Sequence, residues 1–332
     1  MEEETKPRFV LSNAAELLAK PEPQIEWLIE NMWVDKARGL IAGNPGVGKT
    51  WLALDMLIAV ASGGLCMGRF ASKQGAVLLV EEEGSELNLS RRLHSMARAR
   101  GLKGPDLANL HLLTRQFTKI PADTVELFHL IAHLDIKLIV FDSLRRFHGA
   151  DENSSSEMQP VLDSFARLNV MTGAAIVLIH HLSKGTREND NRPIFERLRG
   201  SSDFWAWRDC LIGVEGEEEA EIATYSFQFR DAESPEPIMA KRHVGELSGA
   251  IGLEVLETQD TEEFNERAER ILAYMRTQYG SISRNQINDN IKGKKADILR
   301  TIKAMVKQKM LVKDGLKLAV PETVGTNGNH GN

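Results

Sequence analysis

Cysteine is nearly absent: the 332 residues contain only Cys66 and Cys210, with no CxxC pair. A disulfide-stapled secreted fold and a multi-cysteine zinc domain are thereby excluded, and a reducing, cytoplasmic setting is expected. Aromatic residues amount to 6%, too few for a protein that grips nucleic acid through many stacked rings. No apolar run approaches the roughly 18 residues that span a bilayer; the longest, 51–61, is broken by Asp55. The chain opens Met-Glu-Glu-Glu, acidic where an export signal must be basic. Neither membrane association nor export is expected.

What is present is an ordinary globular composition, 42% hydrophobic and 27% charged, long enough for about two domains. The net charge of -6 conceals an asymmetry. Residues 261–320 carry 13 Lys+Arg against 7 Asp+Glu, while the remainder is net acidic by 12. A basic block joined to an acidic body suggests two modules, one of which meets nucleic acid; a merely solvated helical face is the alternative.

Between residues 38 and 257, continuous Val/Ile/Leu runs alternate with helix-period segments. The runs at 39–42, 76–80, 110–113, 137–141, 174–179 and 210–214 predict parallel strands buried on both faces. The segments 49–62, 85–100, 124–134, 158–172 and 203–207 predict the helices that cover them. Three later strands, 222–229, 238–243 and 251–256, lack intervening helices and should extend the sheet antiparallel. The fold class expected is α/β, a mainly parallel sheet with helices on both faces, plus a small C-terminal domain. Residues 1–35 read as a proline-limited lead-in, 36–257 as the core, 258–263 as a linker and 321–332 as a flexible tail.

From 264 to 320 the pattern is helix, helix, helix, hairpin. Ala268, Ile271, Leu272 and Met275 mark one helical face, Ser283-x-x-Gln286 is a capping box, and Asp314-Gly315 signals a type I′ turn. That order suggests a winged helix-turn-helix, whose third helix would offer Lys294, Lys295, Arg300, Lys303 and Lys307 to duplex DNA. A protein-interaction domain of the same shape is the competing reading.

The strongest chemical signal is Gly43-Asn44-Pro45-Gly46-Val47-Gly48-Lys49-Thr50, a full G-x-x-x-x-G-K-[ST] phosphate loop after a strand and before the helix that Trp51 continues. The glycines let backbone N–H groups curl around phosphate, and the helix start adds its positive end. Lys49 supplies a point charge for β/γ-phosphates, and Thr50 is a Mg²⁺ ligand. About 90 residues on, Leu138-Ile139-Val140-Phe141-Asp142 ends a buried strand in a carboxylate suited to the same ion. The run Val77-Leu78-Leu79-Val80-Glu81-Glu82-Glu83 places three carboxylates at another strand tip, one of which could activate the attacking water. The strand ending His180-His181 places its imidazoles on opposite faces, so a shared metal is not expected and one of them is expected to face the γ-phosphate.

These motifs together resemble the RecA-fold ATPases, most closely the RepA-type hexameric helicases of plasmids and phages. The resemblance is carried by residues 43–50, 77–83 followed by Arg91-Arg92-Leu93, 138–142, His180-His181 with Lys184, and Arg199-Gly200-Ser201. It implies ATP and Mg²⁺ as cofactors, with residues 43–51 binding nucleotide and Thr50 and Asp142 holding the metal. It further implies Glu83 as the catalytic acid, with Glu82 as fallback, His181 or His180 as γ-phosphate sensor, and Arg230 as an arginine finger reaching a neighbouring subunit. Loops 183–198 and 144–158 would line a pore for single-stranded DNA in a hexamer. The basic C-terminal module lies outside the minimal RepA pattern, which leaves an ATP-switched DNA-binding regulator and a recombination or helicase-loading accessory open beside a replicative helicase.

Overall fold

The computed structural model describes residues 11–182, 194–198, 203–216, 218–219, 221–244, 251–256, 259–278, 280–307, 310–315 and 317–320. Contacts divide the chain into two units, Met1–Leu256 and Glu257–Asn332. Among the described residues no helix is long and apolar enough to cross a membrane.

The first unit opens with a five-residue helix, α1 (Ala14–Leu18), capped by Asn13, and a hairpin of β1 (Trp27–Ile29) and β2 (Trp33–Val34). There follow β3 (Arg38–Gly43), α2 (Lys49–Ser62), the short pair β4 (Leu65–Cys66) and β5 (Phe70–Ala71), β6 (Ala76–Glu81), α3 (Glu86–Ala99) and β7 (Leu110–Thr114). Then come α4 (Thr124–Ile131), β8 (Ile136–Asp142), α5 (Ser155–Thr172), β9 (Ala175–His181), α6 (Asp203–Trp207) and β10 (Cys210–Glu215). Strands β11 (Ile222–Phe229), β12 (Ile238–Val244) and β13 (Ile251–Val255) complete the unit.

Among the described residues nine strands form one sheet in the order β13-β12-β11-β10-β3-β9-β8-β6-β7. From β10 to β7 every pairing is parallel, while β11, β12 and β13 add antiparallel. The sheet is thus mixed and mostly parallel, as the helix-separated apolar runs require. Period-two alternation assigns each strand residue to a face. Ile41, Leu138, Val140, Val177 and Ile179 join α2 in one core cluster. Leu40, Ala42, Ile139, Phe141, Ile176 and Leu178 join α4, α5 and α6 in the other.

The lead-in contributes more than its prolines suggest. Leu28, Ile29, Met32 and Trp33 are all essentially inaccessible and belong to the α2-side core. The Trp33 indole N–H donates to the Ala37 carbonyl, and Trp27 meets Phe229 edge-on at 5.2 Å. Trp33 also reaches Gly39, where β3 and β10 approach so closely that an added Cβ would lie 1.9 Å from the Cys210 carbonyl oxygen.

The second unit holds α7 (Gln259–Arg276), β14 (Ile282–Ser283), α8 (Arg284–Asn290), α9 (Lys295–Lys307), β15 (Val312–Asp314) and β16 (Lys317–Ala319), its strands ordered β14-β16-β15. Ser283 and Gln286 form the reciprocal capping box. Ala268, Ile271, Met275, Ile287, Ile298, Ile302, Met305 and Leu318 make a separate small core. Asp314 pairs with Lys317, so the hairpin turn begins one residue later than Asp314-Gly315 suggests.

Gly39→Ala forces a Cβ into backbone and should lower the free energy of unfolding by about 3 kcal/mol, the upper end for overpacking. Gly104→Ala, whose Cβ meets open space, should stay within about 0.5 kcal/mol. Urea unfolding of the two variants measures both; equal stability would contradict the close β3–β10 approach.

Candidate active site

The functional side chains gather where parallel strands end together. Pairing of β3 with β9 sets Gly43 beside His181, and pairing of β6 with β8 sets Glu81 beside Asp142. Ligands collect at such carboxyl ends of open α/β sheets.

Residues 43–50 leave β3 and enter α2 through Gly46 (φ 77°) and Gly48 (φ 97°), left-handed conformations that glycine adopts without steric penalty. Gly48 is the N-cap of α2 and offers no side-chain acceptor, so the first helical N–H groups remain available to an anion. Lys49 is 6% exposed. Its ammonium donates to the carbonyls of Gly43 and Asn44 at 2.9 and 2.8 Å and lies 3.4 Å from His181 Nδ1. Burial depresses its pKa to about 8, against the opposing pull of Asp142 and Glu83.

The Thr50 hydroxyl donates to Asp142 Oδ2 at 2.7 Å, so the two expected metal ligands stand together. Burial, then the neighbouring Glu81, raises the Asp142 pKa to about 7, opposed by the Thr50 hydrogen bond. A cation beside Asp142 would offset that repulsion. Among the described residues no cluster of three His, Cys, Asp or Glu could hold a metal alone. One hydroxyl and one carboxylate nevertheless fit Mg²⁺, which fills its remaining positions with phosphate oxygens and water.

The three consecutive glutamates separate by what they touch. Glu81 is buried and accepts the backbone N–H groups of Glu83 and Gly84, fixing the turn. Glu82 accepts the N–H groups of Phe117 and Thr118, beyond the end of β7. Glu83 accepts the Ser143 hydroxyl at 2.8 Å, lies 4.0 Å from Arg146, and interacts by charge with Lys49, Asp142 and His181. Of the three, Glu83 is thus the carboxylate turned toward the phosphate loop with its oxygens half-exposed. Sequence reading did not single out Ser143 and Arg146 as its partners; their position just after Asp142 was the available signal.

His181 stands on the α2 face, its pKa lowered by burial and then by Lys49. His180 faces the opposite core, stacked on Phe204 at 4.9 Å. Trp51, the first residue past the loop, carries the guanidiniums of Arg92 and Arg242 over its ring at 5.5 and 5.7 Å.

Arg230 is not brought to this cluster. Phe229 pairs with Cys210, and Cys210 with Gly39, so Arg230 sits at the other end of β3 from Gly43. At ~3.3 Å per residue, the five steps from Arg38 to Gly43 along β3 separate the two by roughly 16 Å. There Arg230 pairs with Asp209 at 3.4 Å and donates to the Ala206 carbonyl. The expected loop 144–158 begins with a 3-10 turn, Leu144–Arg146, that exposes Arg145 and Arg146, and its last four residues belong to α5, which starts at Ser155. Of the expected loop 183–198, residues 183–193 lie outside the described residues; Leu182 and Leu198 form an antiparallel bridge, and Arg197 pairs with Glu215. Lys184, Arg187, Arg192, Arg199, Gly200 and Ser201 lie outside the described residues.

Residues 3–187 match the AAA domain family. The chain belongs to this AAA domain family. Its mostly parallel sheet and phosphate loop are those of the RecA-fold P-loop ATPases. A solved DnaB-like replicative helicase, described with its interactions with primase, aligns at a TM-score of 0.53 and 14% identity, covering 72% of this chain and 66% of that one. The RadB recombinase aligns at 0.46 and 19% identity over 67% of this chain and 92% of that one. The DNA repair protein RadA of Salmonella typhimurium is 30% identical over 190 residues, 56% of this chain and 34% of that protein. The AAA domain chain thus spans about a third of this curated relative.

Glu83→Gln should retain ATP binding and slow hydrolysis by about 10²–10⁴-fold, the range for a lost general base, whereas Glu82→Gln should hydrolyse within a few-fold of wild type. Steady-state phosphate release measures both; the reverse ranking would move the catalytic acid to Glu82.

Proposed function

We propose that the chain is an ATP-hydrolysing motor that acts on DNA, a replicative-type helicase of a mobile element. The observation that carries the ATPase half is the convergence of Lys49, the Thr50–Asp142 pair, Glu83 and His181 at neighbouring strand tips. Residues 43–50 bind the phosphates through backbone N–H groups, and Lys49 exchanges the Gly43 and Asn44 carbonyls for β/γ-oxygens. Thr50 and Asp142 hold Mg²⁺, which neutralises charge on the phosphate oxygens when bound. Glu83, positioned by Ser143 and Arg146, accepts the proton of the attacking water. His181 senses the γ-phosphate beside Lys49.

The DNA half rests on the character of the relatives, a DNA repair protein and a replicative helicase, and on the placement of basic residues. Exposed Arg145 and Arg146 follow the strand that carries Asp142, so loop 144–158 couples the hydrolytic centre to a single strand in the pore. Loop 183–198, with Lys184, Arg187, Arg192 and Arg197, is the second contact. The C-terminal unit acts as a winged helix, with α9 presented to duplex DNA and a basic excess between residues 261 and 320. Arg230, remote from its own phosphate loop, acts across an interface in a homo-oligomer, a hexamer. The 30% identity to a DNA repair protein favours a second reading, a recombination or loading accessory.

Strand displacement, run beside ATPase assays with and without single-stranded DNA, distinguishes these. The motor reading predicts ATP-dependent unwinding; DNA-stimulated hydrolysis without unwinding would favour the accessory, and hydrolysis indifferent to DNA would contradict both.

For the oligomer, Arg230→Ala should bind ATP normally and hydrolyse it about 10³-fold more slowly, the scale of an arginine finger. Mixed with Lys49→Ala, it should regain part of the activity, because one subunit's intact loop then meets the other's Arg230. Full activity from a protein that sediments as a monomer with ATP would overturn the prediction.

A further inference from the structure

Of the aromatic side chains described, Phe117 is the most exposed, at 77%. It tops a turn, residues 115–119, that leaves the end of β7. Arg115 and Phe117 both hold left-handed backbone, φ 51° and 60°, which bulky side chains rarely adopt. Hydrogen bonds fix this turn from beneath. The Arg115 N–H donates to the Glu81 carbonyl, and the Glu82 carboxylate accepts the Phe117 and Thr118 N–H groups at 3.1 and 2.9 Å. The Lys119 N–H donates to the Asp123 carboxylate, and the Thr118 side chain is buried. Phe117 is therefore held outward by a well-anchored backbone. An exposed ring by itself is ordinary; its neighbours are not.

Exposed Arg115 and Lys119 flank the ring in sequence. Lys119 Nζ donates to the Arg146 carbonyl and the Ile120 N–H to the Phe147 carbonyl, which joins the turn to the segment carrying exposed Arg145 and Arg146. Among the described residues none of Arg115, Lys119 and Arg145 has a carboxylate within ion-pair distance, and Arg146 has only Glu83 at 4.0 Å. Glu82 is already occupied by the two N–H groups. One apolar ring thus stands among four cations, although the chain outside residues 261–320 is net acidic by 12. A flat apolar face suits an unstacked base, and cations beside it suit the adjoining phosphates. A duplex keeps its base faces stacked, and an acidic protein segment would leave the ring without a planar partner.

We propose that residues 115–119 form a single-stranded DNA contact continuous with Arg145 and Arg146, in which Phe117 stacks on a base while Arg115 and Lys119 hold adjoining phosphates. This deepens the DNA reading of loop 144–158 and rests on it. It also gives Glu82 a task distinct from that of Glu83: its carboxylate anchors the Phe117 turn. The DNA contact and the hydrolytic carboxylate are then tied to consecutive residues at the end of β6. Phe117 itself has no part in the hydrolytic step.

Fluorescence anisotropy of labelled oligo(dT), and of a labelled duplex, with the full chain, Mg²⁺ and a non-hydrolysable ATP analogue tests the proposal. Phe117→Ala should weaken oligo(dT) binding about 5- to 150-fold, the range for aromatic stacking on a base, and leave duplex binding and DNA-free hydrolysis unchanged. Phe117→Trp should retain the affinity, and the emission it adds should change on binding oligo(dT), which decides the matter even if Phe117→Ala does not fold. Arg115→Ala and Lys119→Ala should each reduce the slope of log affinity against log salt by about 0.7, the value per phosphate contact on a single strand. Full oligo(dT) affinity in Phe117→Ala, or equal losses for single strand and duplex, would overturn the proposal. So would a loss that tracks dissociation of the oligomer in sedimentation, which would make the ring a subunit contact. A wild-type protein that binds no oligo(dT) would overturn the DNA reading itself, a result distinct from binding that is indifferent to Phe117.

Discussion

The register of the parallel strands is the constraint on which the site depends. Gly43 lies beside His181 because β3 and β9 pair over six residues, and Glu81 lies beside Asp142 because β6 and β8 pair along their length. A one-residue slip in either pair would turn every side chain to the opposite face, since the strand period is two. Both faces are buried, so such a slip would also move residues such as Ile179 and Leu178 between different cores. The packing that stabilises the sheet therefore also aligns the chemistry at its edge. Gly39 tightens the same constraint, since its missing Cβ lets β10 close against β3 with Trp33 packed beside it.

Electrostatics at the strand tips pull in a direction that suits an incoming triphosphate and its metal. Lys49 is buried among carbonyl oxygens with its proton affinity reduced. Asp142 is crowded by Glu81 and Glu83, with its proton affinity raised. Each group would be better satisfied by the ligand than by its present neighbours, Lys49 by phosphate and Asp142 by a divalent cation. The α2 N-terminus, capped by no side chain, adds to the same demand. Glu82, in contrast, is fully engaged by two backbone N–H groups, and the geometry by itself separates it from Glu83.

Much of this was legible in the residues, for physical reasons. The six helix-separated apolar runs could become only a parallel sheet covered on both faces, and the loop 43–50 is specific enough to place its own strand and helix. The antiparallel extension followed from three strands without intervening helices. Less legible was the hairpin at 27–34: Pro21 and Pro23 drew attention to a loose lead-in, while the cluster Trp27, Leu28, Ile29, Met32 and Trp33 carried the core signal. The apolar run broken by Asp55 is one helix, because Asp55 is buried against Arg100 and the Met67 N–H. Which glutamate of three faces the loop, and that Ser143 and Arg146 attend it, depends on the turn after β6 and on tertiary pairing. No spacing rule encodes either. The same holds for Trp51, which shares its guanidinium partners with elements about 40 and 190 residues away in sequence.

The central claim is that residues 43–50, Asp142, Glu83 and His181 constitute one nucleotide-hydrolysing centre assembled by strand register. A crystal structure with a non-hydrolysable ATP analogue and Mg²⁺ tests it most directly. The account predicts triphosphate in residues 43–50, with Lys49 Nζ moved from the Gly43 and Asn44 carbonyls to β/γ-oxygens and the Thr50 hydroxyl moved from Asp142 to the metal. It also predicts strand register unchanged, with Glu83 and His181 beside the γ-phosphate. Nucleotide bound elsewhere, or bound here with Glu83 and His181 both turned away from the γ-phosphate, would contradict it.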